Sequence, residues 1–133
     1  MSDVRSPVDS GRVVRVVVID DEQGIVDGFC AILRLNGFEV EGFTNPRAAL
    51  RRLDEKPADL VVLDMLMPDM DGIEVLARLH ASHPSTRVVA VSGGGHWVTT
   101  GDCLSAAAGL GAHRTLEKPV RATTLVEALR ALA

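Results

Sequence analysis

The sequence predicts a doubly wound α/β fold of five βα units around a parallel sheet. Three observations carry the prediction. Residues 13–20 (VVRVVVID) and 58–64 (ADLVVLD) are β-branched runs with almost no polar alternation, as in strands buried on both faces of a parallel sheet. Segments of helical apolar periodicity separate the strand-like runs along the whole chain. Glycine, proline and asparagine fall at the junctions.

Taken in order, residues 1–11 (MSDVRSPVDSG) read as a loose leader, which places the domain at 12–133. The strand at 13–20 comes next. From 25 to 35, Ile25, Phe29, Ile32 and Leu33 recur at helical spacing, and Asn36-Gly37 offers a left-handed stop. FEVEGF at 38–43 alternates with period two and reads as a more peripheral strand. Thr44-Asn45-Pro46 supplies an N-cap and a first-turn proline for a helix through Leu53. After the strand at 58–64, a helix follows Gly72, with Ile73, Leu76, Ala77 and His80 on one face. TRVVAVS at 86–92 is the fourth strand. Gly93, Gly94 and Gly95 then lead into a helix ending near Leu110-Gly111. AHRTLEK at 112–118 is a short fifth strand, and 123–132 is the last helix. Such alternation implies right-handed crossovers and helices on both faces of the sheet. For five units the common strand order is 2-1-3-4-5, a three-layer sandwich.

Composition narrows the function classes. The chain has 133 residues, 47% hydrophobic and 24% charged, which suits one folded domain rather than a disordered segment. A net charge of -4 gives no bulk attraction to nucleic acid or anionic lipid. The one small basic cluster, LRRL at 50–53, reads as a solvated helix face. No apolar run approaches the roughly 20 residues that span a bilayer, and the polar N-terminus is not a secretory signal. A cytoplasmic location follows as the expectation. Cys30 and Cys103 lie far apart and are expected to be reduced and buried. His80, His83, His96 and His113 have neither HExxH nor finger spacing, so no histidine-built metal site is expected.

In open α/β sheets, sites form at the carboxyl ends of the strands. The first strand ends in Asp20-Asp21-Glu22, the third in Asp64, the fourth in Ser92 and the glycines, and the fifth in Lys118-Pro119. The second ends in Gly42-Phe43-Thr44, which carries no distinctive chemistry. Asp20, Asp21 and Asp64 in one cleft would repel one another or raise one another's pKa unless a cation intervened. Mg2+ suits such a set, because it takes carboxylate oxygens, keeps several waters and commonly completes its shell with phosphate. A backbone carbonyl just after Asp64 would add an oxygen, and Lys118 would pair with an anion near the metal. These parts suit phosphoryl transfer to a carboxylate, which needs in-line positioning and charge neutralisation more than acid–base chemistry. The Ser92 hydroxyl and backbone N–H groups near Met65 and Gly93 would donate hydrogen bonds.

Asp20-Asp21 after the first strand, DMLMPDMDG after the third, Ser92 after the fourth and Lys118-Pro119 after the fifth resemble the receiver domain of two-component response regulators. The resemblance runs from about Val13 to Leu132 and agrees in type, order and spacing. It implies a flavodoxin-like fold with Asp64 as phosphoacceptor. It further implies Mg2+ on Asp20, Asp21, Asp64 and the Met65 carbonyl, Ser92 and Lys118 on the phosphoryl group, and a cis Lys118-Pro119 bond. The donor it implies is a histidine kinase or a histidine phosphotransfer protein. No output domain is expected, as in chemotaxis-type and phosphorelay-intermediate regulators. One departure stands out. The family usually places Tyr or Phe at the position of Thr115, and that ring swings inward on phosphorylation. Thr115 cannot repeat the motion, so weak ring-flip coupling is expected, with Trp97 the one nearby aromatic.

Each residue also has a plainer reading. Asp20-Asp21 could cap a helix. Lys118 could be a loop cation and Ser92 a turn residue. Met65, Met67 and Met70 read as packing or partner surface. Asp69 and Asp71 read as loop and helix-start residues. Gly93 to Gly95 lack the Gly-Lys-Ser/Thr of a phosphate loop, and DMDG at 69–72 lacks the spacing of a calcium loop. The joint pattern favours a phosphorylatable signalling switch that assists its own phosphorylation and dephosphorylation without being a turnover enzyme. A phosphate-independent scaffold of the same fold is the alternative, and Thr115 favours it. A haloacid dehalogenase-like phosphatase would want an aspartate where Leu66 stands, and 3% aromatics suits a flavin carrier poorly. A monomer or weak homodimer is expected.

Overall fold

The apolar runs become strands because their β-branched side chains fill both faces of a sheet. A computed structural model describes residues 12–68, 70–93, 107–109 and 111–133. Its elements are β1 (Arg15–Ile19), α1 (Gln23–Leu35), β2 (Glu39–Phe43), α2 (Pro46–Glu55), β3 (Leu60–Asp64), α3 (Gly72–Ser82), β4 (Arg87–Ser92), β5 (Arg114–Glu117) and α4 (Ala122–Leu132). Residues 107–109 are also helical. The 1–11 leader, Asp69, Gly94, Gly95, His96, Trp97, Cys103 and Leu110 lie outside the described residues.

The five strands form one sheet in the order β2-β1-β3-β4-β5, and every pairing is parallel, as predicted. Successive side chains alternate between its faces. Val16 and Val18 of β1 join Phe29, Leu33, Val62 and Leu129 under α1 and α4. Val17 and Ile19 join Leu53, Leu63, Leu76 and Leu79 under α2 and α3. β1 and β3 are buried along their whole length, so the two strands that end in carboxylates are also the most deeply packed.

The predicted stops hold. Gly37 has φ 89 and its N–H donates to the Arg34 carbonyl, ending α1. Asn45 Oδ1 accepts from the N–H groups of Arg47 and Ala48 at 2.9 and 3.2 Å, with Pro46 opening α2. Cys30 is buried with a free thiol. Among the described residues, no helix is long and apolar enough to cross a membrane.

Two local expectations are corrected. The buried face of α3 is Gly72, Val75, Leu76 and Leu79, while Ala77 and His80 face outward. The stripe turns toward the branched Val75 and Leu79, which fill more of the core than alanine and histidine would. The basic cluster at 50–53 is not simply solvated: Arg52 Nε lies 3.0 Å from Glu41. That pair belongs to a network around Arg15, only 5% exposed, which bonds Glu41 at 2.7 Å and Glu39 at 3.2 Å. Lys56 holds Glu39 at 3.1 Å. The glutamates of β2, the strand read as more peripheral, tie that strand to β1 and α2.

At Gly42, β2 packs tightly against α1. A Cβ there would collide with Cγ1 of buried Val26 and come within 2.8 Å of Cys30 Sγ. Gly42→Ala is expected to cost about 1–3 kcal/mol by overpacking, read as a lower urea midpoint at unchanged slope.

Candidate functional site

The site is built by backbone ladders that run one residue past the strand ends. Asp20 N–H donates to the Phe43 carbonyl at 3.1 Å, extending the β1–β2 ladder. Met65 N–H donates to the Val91 carbonyl at 2.9 Å, extending β3–β4. Lys118 N–H donates to the Ser92 carbonyl at 2.9 Å, extending β4–β5. The residues around the cleft are therefore fixed by the sheet itself.

This framework brings Asp20, Asp21 and Asp64 together, each offering a carboxylate oxygen within 4.8 Å of the others. Among the described residues it is the one such group of three metal-ligating side chains. Asp20 and Asp64 are buried and Asp21 is exposed. Lys118 Nζ donates to Asp20 Oδ2 at 2.8 Å and lies 3.7 Å from Asp64 Oδ1. Both buried aspartates also grip the chain that follows them. Asp20 Oδ1 accepts from Glu22 N–H at 3.0 Å, and Asp64 Oδ1 from Leu66 N–H at 3.2 Å. These are two Asx-turns of identical i to i+2 spacing. The plainer reading of Asp20-Asp21 as a helix cap fails, because Glu22 is the N-cap residue of α1 and no side chain caps it.

Burial, with like charge second, sets the chemistry. Asp64 is raised to about 7, first by burial and then by the charge of Asp20. Lys118 and the Leu66 N–H pull it down, and a hydrogen bond with Asp21 pushes it up. Burial pushes Lys118 down, but its hydrogen bond to Asp20 and the charges of Asp64, Asp20 and Glu22 outweigh that, and its pKa ends raised. Lys118 is therefore a fixed cation, while Asp64 is a carboxyl poised near neutrality.

The remaining predicted residues fall as follows. Ser92 is fully buried at the end of β4, one residue beyond the Asp64–Val91 pair. A Cβ on Gly93 would meet Lys118 Cβ and Cδ at 3.5 Å, so Gly93 lies against the lysine stem. The Lys118-Pro119 bond is cis, as the resemblance implies. Thr115 is half-buried and pairs with Ala90, two residues short of Ser92. Asp71 caps α3, accepting from Glu74 N–H at 2.9 Å. Met65, Met67 and Met70 are buried in the core beneath α2 and α3.

The Met65 N–H is spent on Val91. The Met65 carbonyl accepts from Gly72 N–H at 3.0 Å, which occupies one of its two lone pairs. The N–H near Met65 that reaches the Asp64 side chain is that of its neighbour Leu66, through the Asx-turn habit of aspartate.

A family model for the response regulator receiver domain matches residues 16–130. The chain belongs to this family. Over 121 residues the receiver is 31% identical to the chemotaxis protein CheY of Listeria monocytogenes, covering 90% of this chain and 98% of that protein. It is 32% identical over 117 residues to the sensory transduction protein RegX3 of Mycobacterium tuberculosis, covering 88% of this chain and 49% of RegX3. A crystal structure of a receiver domain protein from Clostridium thermocellum matches with a TM-score of 0.82 at 30% identity, covering 90% of this chain and 94% of that one. Other relatives are longer, and the chain spans only 24% to 30% of them. Receiver domains are signalling switches rather than turnover enzymes. They take phosphoryl groups on an aspartate from histidine kinases or phosphotransfer proteins and generally bind Mg2+ at an acidic pocket.

The raised Asp64 has a stability consequence of definite sign. Its pKa is about 7 in the folded receiver and ~3.9 unfolded, so the folded state holds the extra proton between those values. Stability therefore falls as pH rises from about 4 to about 7 and then levels. Asp64→Asn removes that cost. Without metal at about pH 8 the variant is expected to be more stable by on the order of 2–4 kcal/mol, with the advantage gone near about pH 4. Urea unfolding at the two pH values measures it.

Proposed function

We propose that this receiver, taken as residues 12–133 behind the 1–11 leader, accepts a phosphoryl group on Asp64 from a histidine kinase or histidine phosphotransfer protein. One observation carries the reading. Asp64 is buried beside Asp20 with the Lys118 ammonium at 2.8 Å from one carboxylate and 3.7 Å from the other. A nucleophile, its charge relief and an anion-binding cation thus share one cleft.

The donor set fits Mg2+. It consists of carboxylate oxygens, which a hard cation prefers, and burial together with the charge of Asp20 keeps Asp64 raised even with Lys118 beside it. Asp20, Asp21 and Asp64 would hold the ion, and the Met65 carbonyl keeps one lone pair that could join them. When bound, Mg2+ supplies charge neutralisation for the carboxylates and the incoming phosphoryl oxygens.

The chain's own groups account for the rest. A carboxylate oxygen of Asp64 attacks the phosphorus of the phosphohistidine. The new O–P bond forms as the N–P bond breaks, its electron pair stays on the imidazole, and solvent returns a proton there when needed. Lys118 moves from Asp20 toward the transferred oxygens, a short swing given its 3.7 Å separation from Asp64. The Ser92 hydroxyl and the Gly93 and Leu66 N–H groups would donate hydrogen bonds to the phosphoryl oxygens. An apolar groove lined by Ile25, Phe29, Pro119 and Val120 adjoins Lys118 and gives the donor a surface beside the cleft. Water later attacks the phosphorus, the Asp64 O–P bond breaks, inorganic phosphate leaves, and the carboxylate is restored. Phosphorylation shifts a two-state equilibrium and changes affinity for a downstream protein. The setting is the cytoplasm, the protein a monomer or weak homodimer, and nucleic acid and membrane are not partners. Thr115 keeps ring-flip coupling weak.

A phosphate-independent scaffold is the second reading, favoured by Thr115 at the half-buried position on β5. Partner binding that ignores Asp64→Asn would support it.

Incubation with Mg2+ and phosphoramidate, followed by intact-mass measurement, tests the first reading. The wild type is expected to gain one phosphoryl group, Asp64→Asn none, and Lys118→Ala the same adduct about 100-fold more slowly. No adduct on the wild type, or an unchanged adduct on Asp64→Asn, would sink the assignment.

A further inference from the structure

We infer that Gly72 is a positioning residue for Asp64: its bare α-carbon lets the first turn of α3 close on the Met65 backbone, and that closure aims the acceptor carboxylate. The inference rests on Asp64 being the phosphoryl acceptor.

Gly72 is buried and opens α3. Backbone conformation does not require glycine there, since the positive φ angles among the described residues belong to Gly37 and Gly111. Helix propensity disfavours it. What requires it is space. A Cβ on residue 72 would collide with the Met65 α-carbon, approach Met65 Sδ at 2.8 Å and meet the Asp64 carbonyl oxygen at 2.9 Å. Two of those three atoms are main chain and cannot rotate aside.

The contact leads straight to the acceptor. Gly72 N–H donates to the Met65 carbonyl at 3.0 Å, closing the loop that leaves β3 back onto its own first residue. The Met65 N–H is held by Val91 at 2.9 Å. Met65 is therefore pinned between β4 and α3, and its neighbour Leu66 donates to Asp64 Oδ1 at 3.2 Å. A methyl group on residue 72 must displace Met65, and with it the N–H that orients Asp64.

Asp71 provides the control. It caps the same helix through Glu74 N–H, yet its side chain is exposed. Asp71→Ala weakens the start of α3 without adding an atom beside Met65. Both variants are treated with Mg2+ and phosphoramidate at a temperature where circular dichroism shows them folded. Gly72→Ala is expected to form the adduct about 10- to 100-fold more slowly, because small misplacements of a reacting group are costly, and Asp71→Ala within about twofold of wild type. The Leu66 amide resonance is expected to shift in Gly72→Ala and stay in place in Asp71→Ala. If Gly72→Ala does not fold, the same comparison is made with Met65→Ala added, which removes the Sδ contact and keeps the backbone one, and slow phosphorylation is again expected. A wild-type rate with an unshifted Leu66 amide, or equal slowing in the Gly72 and Asp71 variants, overturns the inference. If the wild type itself takes no phosphoryl group, the acceptor assignment fails, and the Leu66 amide comparison still decides whether Gly72 positions Asp64.

Discussion

The crowding of Asp20, Asp21 and Asp64 against a single ammonium is the constraint on which the rest of the structure depends. Two of the carboxylates are buried, where charge is costly without a partner. Only a rigid frame can hold them there. That frame is the pair of fully buried strands β1 and β3, whose side chains fill both core layers. The apolar runs that make the strands easy to recognise are also what lets the domain sustain an unfavourable cluster at one edge. Local rules are broken at the site and the core compensates elsewhere.

The same constraint explains why backbone groups matter as much as side chains. Asp20 and Asp64 each take one N–H from two residues further on, so each carboxylate is oriented by the loop it begins. Lys118 is carried by β5 through its own ladder bond to Ser92. A shift of any one strand end would be felt by the others, because their ladders are contiguous across the sheet. Thr115 stands half-buried on β5, beside Ala90 of β4. A backbone link leaves Asp64 through Met65 into α3, where Gly72 N–H donates to the Met65 carbonyl.

Much of this was legible in the sequence. The runs at 13–20 and 58–64 announce buried parallel strands, and listing what each strand ends in finds Asp20, Asp21, Asp64, Ser92 and Lys118 before any coordinates exist. The limits were geometric. Periodicity shows that the segment after Gly72 is a helix, but not which of Val75 and Ala77 faces inward, since neighbouring apolar residues leave the stripe free to rotate. Composition shows Glu39 and Glu41 as polar positions of an edge strand, but not that Arg15, distant in sequence and buried, would claim them. The choice between the Met65 and Leu66 N–H groups depends on where the β3–β4 ladder stops, one residue past the strand. That is a property of pairing and not of either residue.

A charge count shows how the site can rest and still be ready. Three carboxylates facing one ammonium leave an excess of negative charge in a partly buried cleft. Part of it is met by the raised pKa of Asp64, about 7 and owed first to burial and then to Asp20, so near neutrality that carboxyl can hold a proton. A divalent cation on the same oxygens resolves it differently, by favouring the ionised form, and proton and cation must therefore compete for the carboxyl group. Only the ionised form is a nucleophile. On the proposed reading, the burial that makes Asp64 reluctant to ionise ties its reactivity to occupation of the acidic cluster, while Lys118, resting on Asp20, lies 3.7 Å from Asp64.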